Sequence, residues 1–142
     1  MSKKESSILQ ILNIYHTSVF TKNADAFLAL YDQNVQVFDM WGAWSYRGIE
    51  AWRGAIADWF EKLGSERVVV DFDDVQTMET PDVAVIHTFV TYKALSAQGV
   101  ELRSMSNRMT LALQKSDGIW KIIHEHTSAP INHETLKATL KR

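Results

Sequence analysis

Asp117–Pro130, DGIWKIIHEHTSAP, combines a tight turn, a strand and the densest group of ionisable side chains in the chain. Asp-Gly is a hairpin signal, and the Ile, Trp and Thr behind it predict a strand leaving that turn. Successive strand residues point to opposite faces. Strict alternation therefore puts Trp120, Ile122, His124, His126 and Ser128 on one side, and Lys121, Ile123, Glu125 and Thr127 on the other. One face then begins apolar and ends in two imidazoles, as the wall of a closed pocket would, or as a wet rim would.

The same period of two runs back to Glu66, predicting strands at about 66–79, 82–95, 100–115 and 118–129. Thr80-Pro81-Asp82, Ser96-Ala97-Gln98-Gly99 and Ser116-Asp117-Gly118 mark the turns. Four consecutive strands with short connections make an antiparallel meander.

The N-terminal half has a helical period. Ser2 and Glu5 have the spacing of a capping box, and Ile8, Leu9, Ile11, Leu12, Tyr15, Val19 and Phe20 predict an amphipathic helix over 5–21. Asn23 caps a second helix through Tyr31, which the polar turn Asp32-Gln33-Asn34 stops. Val35, Val37 and Asp39 form a short strand whose apolar face ends in a carboxylate. Met40–Gly48, MWGAWSYRG, is expected to be a bent hairpin carrying Trp41, Trp44 and Tyr46. Ile49, Trp52, Ile56, Trp59, Phe60 and Leu63 then fall on one face of a third helix, which Gly64 ends in a left-handed conformation. Asn132 caps a last short helix, HETLKATLKR. Helices followed by a long meander imply one α+β domain over 1–142, with a curved antiparallel sheet wrapped around helices on its concave face and a cavity at its open end.

Composition narrows the functional classes. Hydrophobic residues make up 46% and charged residues 23% of the 142 positions, values ordinary for a soluble globular domain. Fifteen Lys and Arg against seventeen Asp and Glu leave a net charge of -2 with no basic stripe, which argues against nucleic acid as a partner. There is no cysteine, which excludes thiol chemistry and fits a reducing compartment. MSKKESSILQ has no apolar signal region and no long apolar run follows, so a cytoplasmic protein without a membrane partner is expected.

Several residues could carry chemistry. Asp39, beside tryptophans at the end of an apolar strand face, would be desolvated and so a better proton acceptor near neutral pH; alternatively it opens a turn as an Asx residue. Tyr15 is either a core aromatic or a hydroxyl donor to a ligand oxygen. His87 interrupts the apolar run VAVIHTFV and needs a hydrogen-bond partner wherever it points. His124 and His126 are half of a metal site, but no second ligand pair appears at metal spacing, so neither metal nor cofactor is expected. Arg108 lies on the side of Thr110 and Ala112, opposite Met105, Asn107, Met109, Leu111 and Leu113. Buried, it would need a carboxylate such as Asp39 or Glu125, or one supplied by a ligand. Trp41 and Trp44 on the loop suit a ligand-lining role; Trp59 and Phe60 sit at helical core spacing and would hold a ligand's apolar body.

Three segments in this order, ALYDQNVQVFD, YRGIEAWRGAIADWF and DGIWKIIHEHTSAP, together resemble the NTF2-like superfamily, in its SnoaL-like or ketosteroid-isomerase-like branch, over nearly the whole chain. The resemblance implies a cone-shaped fold with a deep apolar pocket for an apolar or amphipathic ligand, frequently homodimeric through the sheet. In the isomerases an Asp base moves a proton next to a carbonyl held by a Tyr and a protonated Asp. Asp39 matches the base and Tyr15 the oxyanion donor. Arg108 to Thr110 departs from the pattern, offering Arg and Thr where the isomerases have their second acid. The family also includes non-catalytic binding and dimerisation modules, so both an isomerase or lyase and a binding module are implied.

Overall fold

The structure, a computed structural model, describes residues 3–142, with side chains from Ile8 onward; the capping box expected of Ser2 and Glu5 lies outside the described residues. Helix α1 spans Lys3–Phe20. Its apolar stripe of Ile8, Ile11, Leu12, Tyr15 and Val19 is buried. Asn23 caps helix α2, Ala24–Leu28, by accepting the Ala26 N–H at 3.0 Å. That helix ends three residues short of the expected Tyr31. Tyr31 instead opens strand β1, Tyr31–Phe38, and the polar residues Asp32, Gln33 and Asn34 are part of the strand rather than a turn before it. An irregularity between Tyr31 and Gln36 in the pairing with the neighbouring strand accommodates them.

Strand β2, Tyr46–Arg47, folds back antiparallel on β1, so Met40–Ser45 is the expected bent hairpin loop. Helix α3, Ile49–Leu63, buries Trp52, Ile56, Phe60 and Leu63 and stops at Gly64, whose φ of 58° lies in the region that glycine tolerates. The meander follows as β3 (Arg67–Glu79), β4 (Val83–Leu95), β5 (Glu101–Ser116) and β6 (Ile119–Ser128). Asp117 and Gly118 both have positive φ, 53° and 77°, as a two-residue hairpin between right-twisted strands requires.

The curved, unclosed sheet has the order β2-β1-β6-β5-β4-β3. Every pairing is antiparallel except one: β1 runs parallel to β6 and brings the loop after β1 beside the end of β6. Helix α1 packs over β3, and His16 Nδ1 reaches the Val70 carbonyl at 2.7 Å. Phe27 is fully buried and meets Tyr15, Tyr31 and Phe60, joining both helical layers in one aromatic core.

The expected C-terminal helix does not form. Asn132 does cap, its Oδ1 accepting the Glu134 and Thr135 N–H groups, but it caps a single turn. The tail then runs beside β5, where Leu140 O accepts from Ser106 N at 2.7 Å and Arg142 lies 3.9 Å from the Phe89 ring centre. The segment's polar sequence offers no stripe to bury, so a helix gains nothing there.

Strand β6 departs from strict alternation. Leu113 faces Ile122 but Ala112 faces His124, so β6 carries one extra residue at Ile123, a β-bulge. Beyond it the faces exchange. Trp120, Ile122, Glu125 and Thr127 are buried toward the helices, whereas His124 is half-buried and His126 exposed on the outer face. Because Ile123 is the surplus residue, deleting it should restore plain alternation and keep Glu125 inward and the histidines outward; urea unfolding should then show a loss of less than about 2 kcal/mol.

Candidate functional site

The site is assembled where β1 and β6 end side by side. Beyond Phe38 the chain turns on Asp39, whose Oδ2 accepts the Trp41 N–H at 3.3 Å and whose Oδ1 accepts the Thr127 hydroxyl at 3.2 Å. Thr127 Oγ1 also accepts from Met40 N at 3.0 Å, tying the loop to β6. The Asx turn expected as the plain alternative therefore forms. Partial burial nonetheless raises the Asp39 pKa, against the lowering pull of its two donors. Asp39 lines a groove of about 570 Å³, within the range of small-molecule sites, together with Phe38, Met40, Trp44, His126 and Thr127.

Further inward lies a group of hydroxyls and one carboxyl. Tyr15, 3% exposed, has its hydroxyl 3.2 Å from that of Tyr92 on β4. Burial, and then the neighbouring Tyr92 and Glu125, hold Tyr15 well above the usual phenol value, so it remains a neutral hydroxyl. Tyr31 donates to Glu125 Oε1 at 2.5 Å, and Glu125 is 1% exposed. Desolvation pushes the Glu125 pKa up to about 8; the Tyr31 hydrogen bond opposes this and the charge of Asp39 adds to it. Glu125 is thus mostly protonated at neutral pH. Burial raises Tyr92 as well, with smaller contributions from Glu125 and Asp39.

The candidate residues separate into three places. Asp39, Trp44 and, from the outer-face side, His126 line the groove, although Trp44 is 98% exposed and Trp41 54% exposed. Tyr15 and Phe60 are interior and Trp59 is half-buried against them, its ring tilted 5.2 Å from Phe60 and 6.3 Å from Tyr92. His87, Arg108, His124 and His126 occupy the outer face. Arg108 Nε donates to Ser128 Oγ at 3.1 Å, so it pairs with neither Asp39 nor Glu125. His124 Nδ1 lies 2.7 Å from the Gln36 carbonyl oxygen, and both His124 and His126 stand edge-on to Phe38. Among the described residues no three His, Asp or Glu side chains are grouped to hold a metal ion.

Strict alternation missed Glu125 because it assumed an unbroken phase. The signal was present in Ile122-Ile123, two adjacent isoleucines where alternation admits one. Tyr92 was readable, lying in phase with Ala84, Ile86, Thr88 and Val90; Tyr31 was hidden by its assignment to a helix.

The family described as the SnoaL-like domain matches residues 8–132. Among curated proteins no sequence matches. The fold resembles an NTF2-like protein of unknown function from Pseudomonas putida KT2440, with a TM-score of 0.86 and 22% identity over 100% of this chain and 97% of that one. It also resembles a protein with a cystatin-like fold from Nostoc punctiforme PCC 73102 (TM-score 0.73, 14% identity, 89% of this chain and 91% of that one). A third is Aln2 from a Streptomyces species (TM-score 0.78, 13% identity, 90% of this chain and 91% of that one). At these identities the likeness concerns the fold. Among the described residues no helix is long and apolar enough to cross a membrane.

Glu125 makes stability depend on pH. Its folded pKa of about 8 lies above the ordinary 4.5, so between these values the folded chain holds a proton that the unfolded chain has released. The stabilisation is complete below about pH 4.5 and is lost as pH rises toward 8. Thermal melts should therefore show wild type losing stability over this window, whereas Glu125→Gln, which keeps an acceptor for Tyr31, loses a few kcal/mol less.

Proposed function

Since the chain belongs to the SnoaL-like domain family of the NTF2-like superfamily, we propose that it is a small-molecule pocket protein of the isomerase or lyase kind. In this reading Asp39 accepts a proton from carbon next to a carbonyl, and Tyr15 donates a hydrogen bond to the carbonyl oxygen. The observation that carries it is a desolvated carboxyl with a raised pKa in the lining of a ligand-sized groove. Desolvation favours proton acceptance near neutral pH, and two donors keep the carboxyl in place.

The remaining parts have counterparts inside. Tyr15 stays a neutral donor, and Tyr92 beside it can pass a hydrogen bond along. Glu125, protonated at neutral pH, supplies the second acid that Arg108–Thr110 does not, since a buried neutral carboxyl can donate to a developing oxyanion. On proton abstraction the carbon–hydrogen electron pair moves into the carbonyl, the oxygen takes up negative charge against these donors, and Asp39 holds the proton for return to carbon. Trp59 and Phe60 hold the apolar body of the ligand, and Trp41 and Trp44 flank its approach. In this reading His126 borders the groove from the outer face, and His87, His124 and Arg108 act outside it.

One observation favours the rival reading, a non-catalytic binding or dimerisation module: Tyr15 is 3% exposed and its hydroxyl is already paired. Proton exchange separates the two. With 1-tetralone in D2O, followed by NMR, wild type should catalyse deuterium uptake next to the carbonyl. Asp39→Asn should cut the rate by at least about 100-fold without lowering the melting temperature; equal rates would leave the binding module.

We also propose a homodimer through the outer face of the sheet, where Phe38 and Val85 offer apolar surface around His87 and His126. Sedimentation equilibrium should find a dimer for wild type and a monomer for Val85→Asp; a monomeric wild type would refute it.

A further inference from the structure

Asn107 is a buried amide that the proposed chemistry leaves unused. It sits on the inner face of β5 between Met105 and Met109 and is 6% exposed. Its Nδ2 donates to Met40 Sδ at 3.3 Å, a weak acceptor. Its Oδ1 is buried without a partner. Turning the amide over would set its oxygen against the Met40 sulfur and orphan the NH2 instead, so the deficit belongs to the site and not to the orientation. A buried amide left in this state is costly, and natural cores rarely retain one without a use.

Its surroundings indicate the use. Met40 lines the groove beside Asp39 and Thr127, and Asn107 lies directly behind the Met40 thioether. Asn107 also slightly opposes the upward pKa shift of Tyr92, which neighbours Tyr15. The Met40 side chain thus stands between the groove and Asn107. Methionine is flexible and changes rotamer at little cost.

We propose that Asn107 is a ligand-recognition residue: the Met40 side chain swings aside and a hydroxyl on the ligand donates to Asn107 Oδ1. The ligand class is then a hydroxylated cyclic ketone or phenolic ketone. The inference rests on the pocket reading given above and narrows its substrate. It requires the hydroxyl and the reacting carbonyl to be separate groups on one apolar skeleton, because the Tyr15–Tyr92 pair and Asn107 address different atoms.

Calorimetric titration of 1-tetralone and its 5-, 6- and 7-hydroxy derivatives tests it. At least one hydroxylated form should bind wild type about tenfold more tightly than 1-tetralone, the gain expected of one well-placed hydrogen bond to an otherwise orphaned group. In Asn107→Leu that ratio should fall to about one. In Asn107→Asp, which keeps an acceptor oxygen, it should persist, and this variant carries the test should the leucine variant not fold. A wild-type ratio of one, while 1-tetralone still binds and Asp39→Asn still stops its proton exchange, overturns the recognition role alone. A ratio that survives Asn107→Leu, or vanishes in Asn107→Asp, overturns it as well. No binding of any of the four compounds removes this inference and the pocket reading together.

Discussion

The way one residue of β6 is left out of the pairing decides which chemistry faces inward. Because side chains alternate with a period of two, the bulge at Ile123 exchanges everything beyond it: Glu125 and Thr127 enter the interior, and His124 and His126 leave it. Were Ile123 paired in unbroken alternation instead of bulged, Tyr31 would have no carboxyl to donate to, Asp39 would lose the Thr127 hydroxyl, and two imidazoles would need partners among Val37, Leu111 and Met109. The parallel pairing of β1 with β6 then sets Asp39 beside Thr127. Local backbone irregularity and long-range strand pairing thus combine to place the polar groups.

Those groups act on one another because the core around them is apolar and aromatic. Phe27, Phe60, Phe72 and Trp59 surround the Tyr15, Tyr31 and Tyr92 hydroxyls and exclude water, so charge interactions are only weakly screened. Asp39 accordingly influences both Glu125 and Tyr92, and Glu125 influences Tyr15. Desolvation is the leading cause in every one of these shifts. The same apolar enclosure that stabilises the fold therefore sets the protonation state of the interior.

Much of this architecture was legible in the sequence. The meander, the third helix and its glycine stop, the Asp117-Gly118 turn and the cap at Asn23 all rest on local chemistry, and local chemistry is what a sequence displays most directly. What was not legible depends on partners distant in the chain. Tyr31 fits a helical pattern after Phe27 and becomes a strand residue through pairing with β6. The last segment has caps but no core to pack on. Asp39 was identifiable from an apolar strand ending in a carboxylate. Glu125 was not, because its orientation follows from a bulge signalled by no more than a doubled isoleucine.

Trp44 stands almost wholly in water at the lip of the groove, while Trp52 and Trp120 are enclosed in the core. Indole emission shifts to longer wavelength in a polar, relaxing environment, so the chain carries its own two-colour optical label. The red component belongs to the loop and the blue component to the interior. An occupant arriving at the groove perturbs the first and spares the second, whereas loss of tertiary structure erases the second. Occupancy and unfolding are thereby separable in a single emission spectrum, with no dye attached.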